Sequence, residues 1–207
     1  MFARVENDKI TEYPVDLRKS YPNISWPKDL STAALPDGIV WVEPTAMPAV
    51  EYAEVAEVDP QMTDGKWYQQ WGTTPWSDDD TKQAVLAAIS AKKFQVETGG
   101  VTLPNGMSVR TTIDDQNRIS NAVFNGQRLG LTEVSFLQPD NSYATISMDD
   151  LVTIADAIGM HVQACFDAGK AHYTAVNAIK DSVSQTAYQQ LVAYDITTGW
   201  PANGGSA

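Results

Sequence analysis

The chain is poor in reactive side chains, with one cysteine and two histidines among 207 residues. The single cysteine, Cys165, excludes an intrachain disulfide framework and a zinc site built from several thiolates. His161 and His172 leave little material for general acid–base chemistry, although carboxylates can serve in principle. Basic residues are also few: 14 lysines and arginines stand against 26 acidic residues, a net charge of −12. They are dispersed along the chain, and such a charge repels nucleic acid and anionic membrane surfaces. No apolar run reaches the roughly 18 residues of a membrane span. Met1-Phe2-Ala3-Arg4-Val5-Glu6 contains no apolar signal core, so synthesis in the cytoplasm is the expectation.

The material for a packed core is present, since 43% of the residues are hydrophobic. The length suits one large domain or two small ones. The pattern predicts an α+β protein in parts: a small β-rich module over 1–76, a linking helix over 77–98, an α+β domain over 99–200, and a mobile tail over 201–207. In the first part, Phe2–Glu6, Gly38–Val42, Val50–Val58 and Lys66–Trp71 have strand character. Asn7-Asp8 and Asp64-Gly65 read as turns. Tyr13-Pro14, Tyr21-Pro22, Trp26-Pro27 and Leu35-Pro36 shape the connections, with one short helix over Val15–Ser20. Trp26, Trp41, Trp67 and Trp71 are expected to supply much of the core, a ligand role in sugar stacking being the alternative.

Ser77 followed by Asp78-Asp79-Asp80 reads as a helix start. Gly99-Gly100 closes that helix. Then come a hairpin about Pro104-Asn105-Gly106, a middle helix over Ile113–Leu129, and two strands about Pro139-Asp140-Asn141-Ser142. A long helix follows over 149–181, on the order of 48 Å from end to end. A short helix over Gln185–Tyr194 precedes the tail.

The long helix carries one seam in alternating steps of four and three: Leu151, Ala155, Ile158, Val162, Cys165, Gly169, His172, Val176 and Ile179. This is the spacing of a helix packed along its length against another. Its small residues permit close approach within the chain or between chains. The seam is expected to be a partner interface, including self-association.

Chemistry is sparse. Asp78, Asp79 and Asp80 stand in direct succession, which suits capping better than metal ligation from spaced positions. His161 and Cys165 have a zinc-compatible spacing, but no third ligand accompanies them. Cys165 lies mid-helix, away from a helix N-terminus that would activate it. The Gly-Gly and Asn-Gly pairs match no phosphate loop, and Asp114-Asp115-Gln116-Asn117-Arg118 lacks the glycine and glutamate of a calcium loop. No nucleophile elbow occurs. No enzyme, cofactor or metal is therefore expected.

Two segments resemble phage proteins. Tyr13-Pro14-Val15-Asp16-Leu17-Arg18-Lys19-Ser20-Tyr21-Pro22-Asn23-Ile24-Ser25-Trp26-Pro27, with Gly38–Val42 and Gly65–Trp71, resembles the N-terminal module of phage tail-assembly-chaperone-like proteins. The stretch from Phe94-Gln95-Val96-Glu97-Thr98-Gly99-Gly100-Val101 to His161-Val162-Gln163-Ala164-Cys165-Phe166 is similar to an uncharacterised phage domain often encoded beside tail-fibre genes. These resemblances carry no catalytic residues. They imply a phage tail protein acting through protein–protein contacts, as a fibre or baseplate adaptor in the virion. The alternatives are a fibre-assembly chaperone that departs or, more weakly, a glycan-binding tail module. The partner implied is a tail-fibre or baseplate protein, and the place is the host cytoplasm during assembly, then the virion tail.

Overall fold

A computed structural model of the chain describes residues 1–30, 33–103, 106–137 and 142–203. It has the α+β character expected and two compact units, Met1–Trp76 and Ser77–Ala207. Pro104, Asn105, Pro139, Asp140, Asn141 and the tail residues 204–207 lie outside the described residues.

The first unit is a five-stranded sheet of β1 (Phe2–Glu6), β2 (Lys9–Glu12), β3 (Ile39–Glu43), β4 (Ala53–Thr63) and β5 (Lys66–Pro75), in the order β2-β1-β3-β5-β4. Asn7 and Asp8 have φ of 51° and 58°, the left-handed backbone of a tight hairpin that these residue types tolerate. β2 returns from that turn and has no counterpart among the expected strands. β3 and β5 pair in parallel, and the other pairs are antiparallel.

Alternation along the strands gives this sheet two apolar faces. Phe2 and Ile39 lie on one, beneath Val15, α1 (Leu17–Ser20), Tyr21, Trp26 and Leu35 of the proline-rich connection, with Trp41 packed alongside. Ala3, Val42 and Trp67 lie on the other, with Val5, Ile10, Tyr13 and Val40 against them. Trp26, Trp41 and Trp67 thus join the core. Trp71 is half-buried and is held instead by its indole N–H, which donates to Thr45 Oγ1 at 3.1 Å. Between Val58 and Gln61 the β4 ladder shifts, so that Asp59 and Pro60 stand opposite Gln69 alone.

The second unit contains α2 (Asp78–Glu97), the β6–β7 hairpin (Val101–Thr102, Ser108–Val109), α3 (Ile113–Leu129), the β8–β9 hairpin (Glu133–Leu137, Tyr143–Ser147), α4 (Met148–Ala178) and α5 (Ala187–Val192). One capping device recurs. Ser77, Thr112 and Ser147 each accept the amide of an aspartate three residues on, and each hydroxyl donates to that aspartate's carboxylate. Asp78-Asp79-Asp80 therefore occupy the first turn of α2, where the helix dipole favours negative charge.

α2, expected as a linking helix, packs lengthwise on α4 within the second unit. α4 stops at Ala178, short of the expected Asp181. Ile179 turns extended at ψ 129°, and Asp181 accepts the Ala187 amide to redirect the chain into α5. Leu103, Ile119, Met148, Leu151, Ile154 and Ile158 form the core between α3 and the first half of α4. Each such side chain, once buried, contributes about 1.5–3 kcal/mol from water exclusion.

Candidate functional site

The seam of α4 lies inside the unit. Leu151, Ile158, Cys165, Gly169, His172 and Val176 are buried, whereas Ala155, Val162 and Ile179 are half-buried. Ile154 and His161 complete the buried stripe. Among the described residues this seam, expected as a partner interface, packs within the unit, its first half on α3 and its second on α2, and Gly169 alone of the seam also borders a groove described below.

Contacts along α2 run opposite to those along α4. His161 Nε2 meets the Val96 carbonyl at 3.1 Å, and the Tyr173 hydroxyl donates to the Leu86 carbonyl at 3.2 Å. Because His161 Nε2 is used as a donor to Val96, the Cys165 sulfur at 3.7 Å does not receive a base. Burial, then the Glu97 charge, pushes the Cys165 thiol up, so the thiol stays protonated and unreactive. No group of three or more histidine, cysteine or acidic side chains is placed to hold a metal among the described residues.

The chain beyond α5 folds back over His172. The Tyr194 hydroxyl is 2.9 Å from His172 Nδ1, and the Thr198 carbonyl is 2.9 Å from Nε2. Since a carbonyl only accepts, Nε2 carries the proton and Nδ1 accepts from Tyr194. Trp200 covers the ring, and its own N–H donates to the Ile196 carbonyl at 2.9 Å. Gly199 has φ +80°, the left-handed backbone that brings Trp200 round. The expected seam includes His172 but not Tyr194, Gly199 or Trp200. The signal available in the sequence is the cluster of an aromatic, a glycine and Trp200-Pro201 just past a short helix.

On the solvent side of the α2–α4 contact lies a groove of about 290 Å³, lined by Ile89, Ser90, Lys93, Phe166, Gly169, Lys170 and Tyr173. Gly169 forms its floor: an added Cβ would reach Lys93 Cδ at 3.5 Å and Trp200 at 3.9 Å. Lys93 bridges to the buried Glu97 at 2.8 Å, and its ammonium sits 3.8 Å over the centre of the Phe166 ring. The pairing offsets the cost of burying the Glu97 carboxylate. Ser90 Oγ and the Tyr173 hydroxyl are 2.6 Å apart, and both reach the Leu86 carbonyl. Only Gly169 of this set was singled out by the seam, because the groove joins residues about eighty positions apart.

A second hollow of about 230 Å³ lies by the start of α2 and the end of α4, with Asp78, Asp79 and Asp181 set beside Lys82 and Lys180. Its charges of both signs leave it without a marked preference. Among the described residues no helix is long and apolar enough to cross a membrane.

No curated protein and no solved structure matches the chain. One family model does, over residues 80–198, which takes in α2 through α5 and the groove. That match spans more than half of the sequence, and the chain therefore belongs to DUF4376, a family described as a domain of unknown function.

Proposed function

We propose that this chain works by binding another protein, without catalysis, as a component of a bacteriophage tail: a fibre or baseplate adaptor retained in the virion. The observation that carries the binding reading is the display of large apolar side chains on the second unit. Phe94, Phe124, Leu129, Tyr143, Met160 and Phe166 are each more than half exposed. These side chains, carried by α2, α3, β9 and α4, are the apolar material the unit offers to a partner. The phage setting rests on the resemblance of Tyr13–Pro27 and of the Phe94–Phe166 stretch to phage tail-associated proteins.

The test is mass spectrometry of purified particles, with peptide counts calibrated against the major tail proteins. A fixed copy number per particle supports the adaptor. Absence from particles, with recovery from infected cells on a fibre protein, replaces it with an assembly chaperone. Absence from both overturns the tail setting.

A further inference from the structure

We infer that the α2–α4 groove is the recognition site for an acidic, aromatic-bearing peptide segment of the partner protein. The inference rests on the protein-binding reading above and names the chemistry of one contact. At about 290 Å³ the groove falls at the small end of ligand pockets, so it takes one or two side chains rather than a cofactor.

Three properties select the occupant. The first is charge. The chain carries −12, yet among the described residues no carboxylate lines this groove, while Lys93 and Lys170 do. Lys93 is neutralised by Glu97; Asp167, on α4 with Lys170, accepts from Gln163 and does not line the groove. Lys170 has no ion-pair partner among the described residues. An acidic group is thus drawn to Lys170 against a field that repels it elsewhere on the molecule.

The second property is the apolar wall. Phe166 is 52% exposed, with Lys93 over its ring, and Ile89 and Gly169 form an apolar base. This arrangement receives an aromatic side chain, which stacks or packs edge-on against Phe166.

The third is hydrogen bonding. Ser90 and Tyr173 hold two hydroxyl protons, and the Leu86 carbonyl and the hydroxyls themselves take both. What the pair offers a ligand is oxygen lone pairs. A peptide backbone N–H satisfies them, whereas a bare anion does not. Acid, aromatic ring and N–H together describe a peptide.

The experiment uses the full chain, labelled for amide NMR, with a capped peptide alternating aspartate and phenylalanine as probe. Its asparagine twin and inorganic phosphate are the controls. The acidic peptide is expected to shift the Lys93, Phe166, Gly169 and Lys170 signals, with a Kd near about 1 mM for so small a fragment. Lys170→Glu should weaken it about tenfold or more. Gly169→Ala supplies a second variant: its methyl meets neighbours at ordinary contact distances, so the fold holds while the floor rises. Weakened binding by this folded variant supports the site.

Equal binding of the asparagine twin, the same shifts from phosphate, or shifts located elsewhere would overturn the proposal. So would an effect of the peptide that survives Lys170→Glu. Shifts on a rise in protein concentration alone, confined to the groove, would replace the peptide with a second copy of this chain. A chain found in particles whose groove ignores the peptide leaves the tail reading standing and removes this one. A groove that binds the peptide on a chain absent from particles and fibre does the reverse.

Discussion

His172 and Trp200 stack face to face, their ring centroids 4.9 Å apart and their planes inclined by 22°. Tyr194 meets the same imidazole edge-on at 5.8 Å. These contacts, with the hydrogen bonds from Tyr194 and to Thr198, fasten the segment after α5 to the last turns of α4.

Trp200→Ala should therefore loosen the C-terminal segment. The expected loss is about 2 kcal/mol, below the value for a fully buried aromatic because Trp200 is half-buried. Urea unfolding checks the magnitude, and limited proteolysis should show new cleavage between Tyr194 and Trp200. Trp200→Phe, which keeps the stack and loses the indole bond to Ile196, should restore most of the stability.

Two buried threonines should respond oppositely to the same substitution. Thr111 donates to the Glu97 carbonyl at 2.6 Å and accepts the Gly100 amide at 2.9 Å, pinning the end of α2 to the start of α3. Thr111→Val leaves both backbone groups unsatisfied and should cost about 2 kcal/mol. Thr81, equally buried, has no partner for its hydroxyl among the described residues. Thr81→Val should be neutral or stabilising by up to about 1 kcal/mol. Denaturation midpoints of the two variants measured side by side decide the matter; a cost at Thr81 equal to that at Thr111 would contradict the hydrogen-bond account.

The helices were legible because their signals are local. Serine or threonine followed three residues on by aspartate marks the starts of α2, α3 and α4, and the middle helix falls on Ile113–Leu129 as the pattern predicts. The seam was legible only in part. A four-three alternation names Ala155 and Val162, but the deeper positions are Ile154 and His161. The stripe shifts because α4 meets α3 along one half and α2 along the other, and no single periodicity describes two successive neighbours. The groove and the segment over His172 depend on pairs such as Ser90–Tyr173 and His172–Trp200, whose closeness is a product of folding. β2 was missed for a different reason: Lys9-Ile10-Thr11-Glu12 is too short and polar to show a pattern apart from its partner β1.

Cys165 should behave as a reporter of opening. It is fully buried, and burial pushes its thiol up from 9.0, so thiol reagents should label it slowly in the native chain and rapidly in urea. The sign of the pH effect follows. The unfolded chain gives up this proton at a lower pH than the folded one, so the contribution is intact below 9.0 and is lost as pH climbs past it. Urea midpoints for the native chain should fall more between about pH 8 and 10 than those of Cys165→Ala. An identical fall in both would show that the thiol's environment does not change on unfolding.

The shifted register at Asp59-Pro60 bears on how the molecule behaves when crowded. β4 ends the order of its sheet, and a long end strand is a template for another chain. Pro60 lacks an amide hydrogen, and the extra residue twists the strand, so the regular ladder is broken into Ala53–Val58 and a short run of Gln61, Met62 and Thr63. Glu54, Glu57 and Asp59 add like charges for any identical copy that approaches. The interrupted ladder and these charges together oppose the addition of an identical copy along this edge.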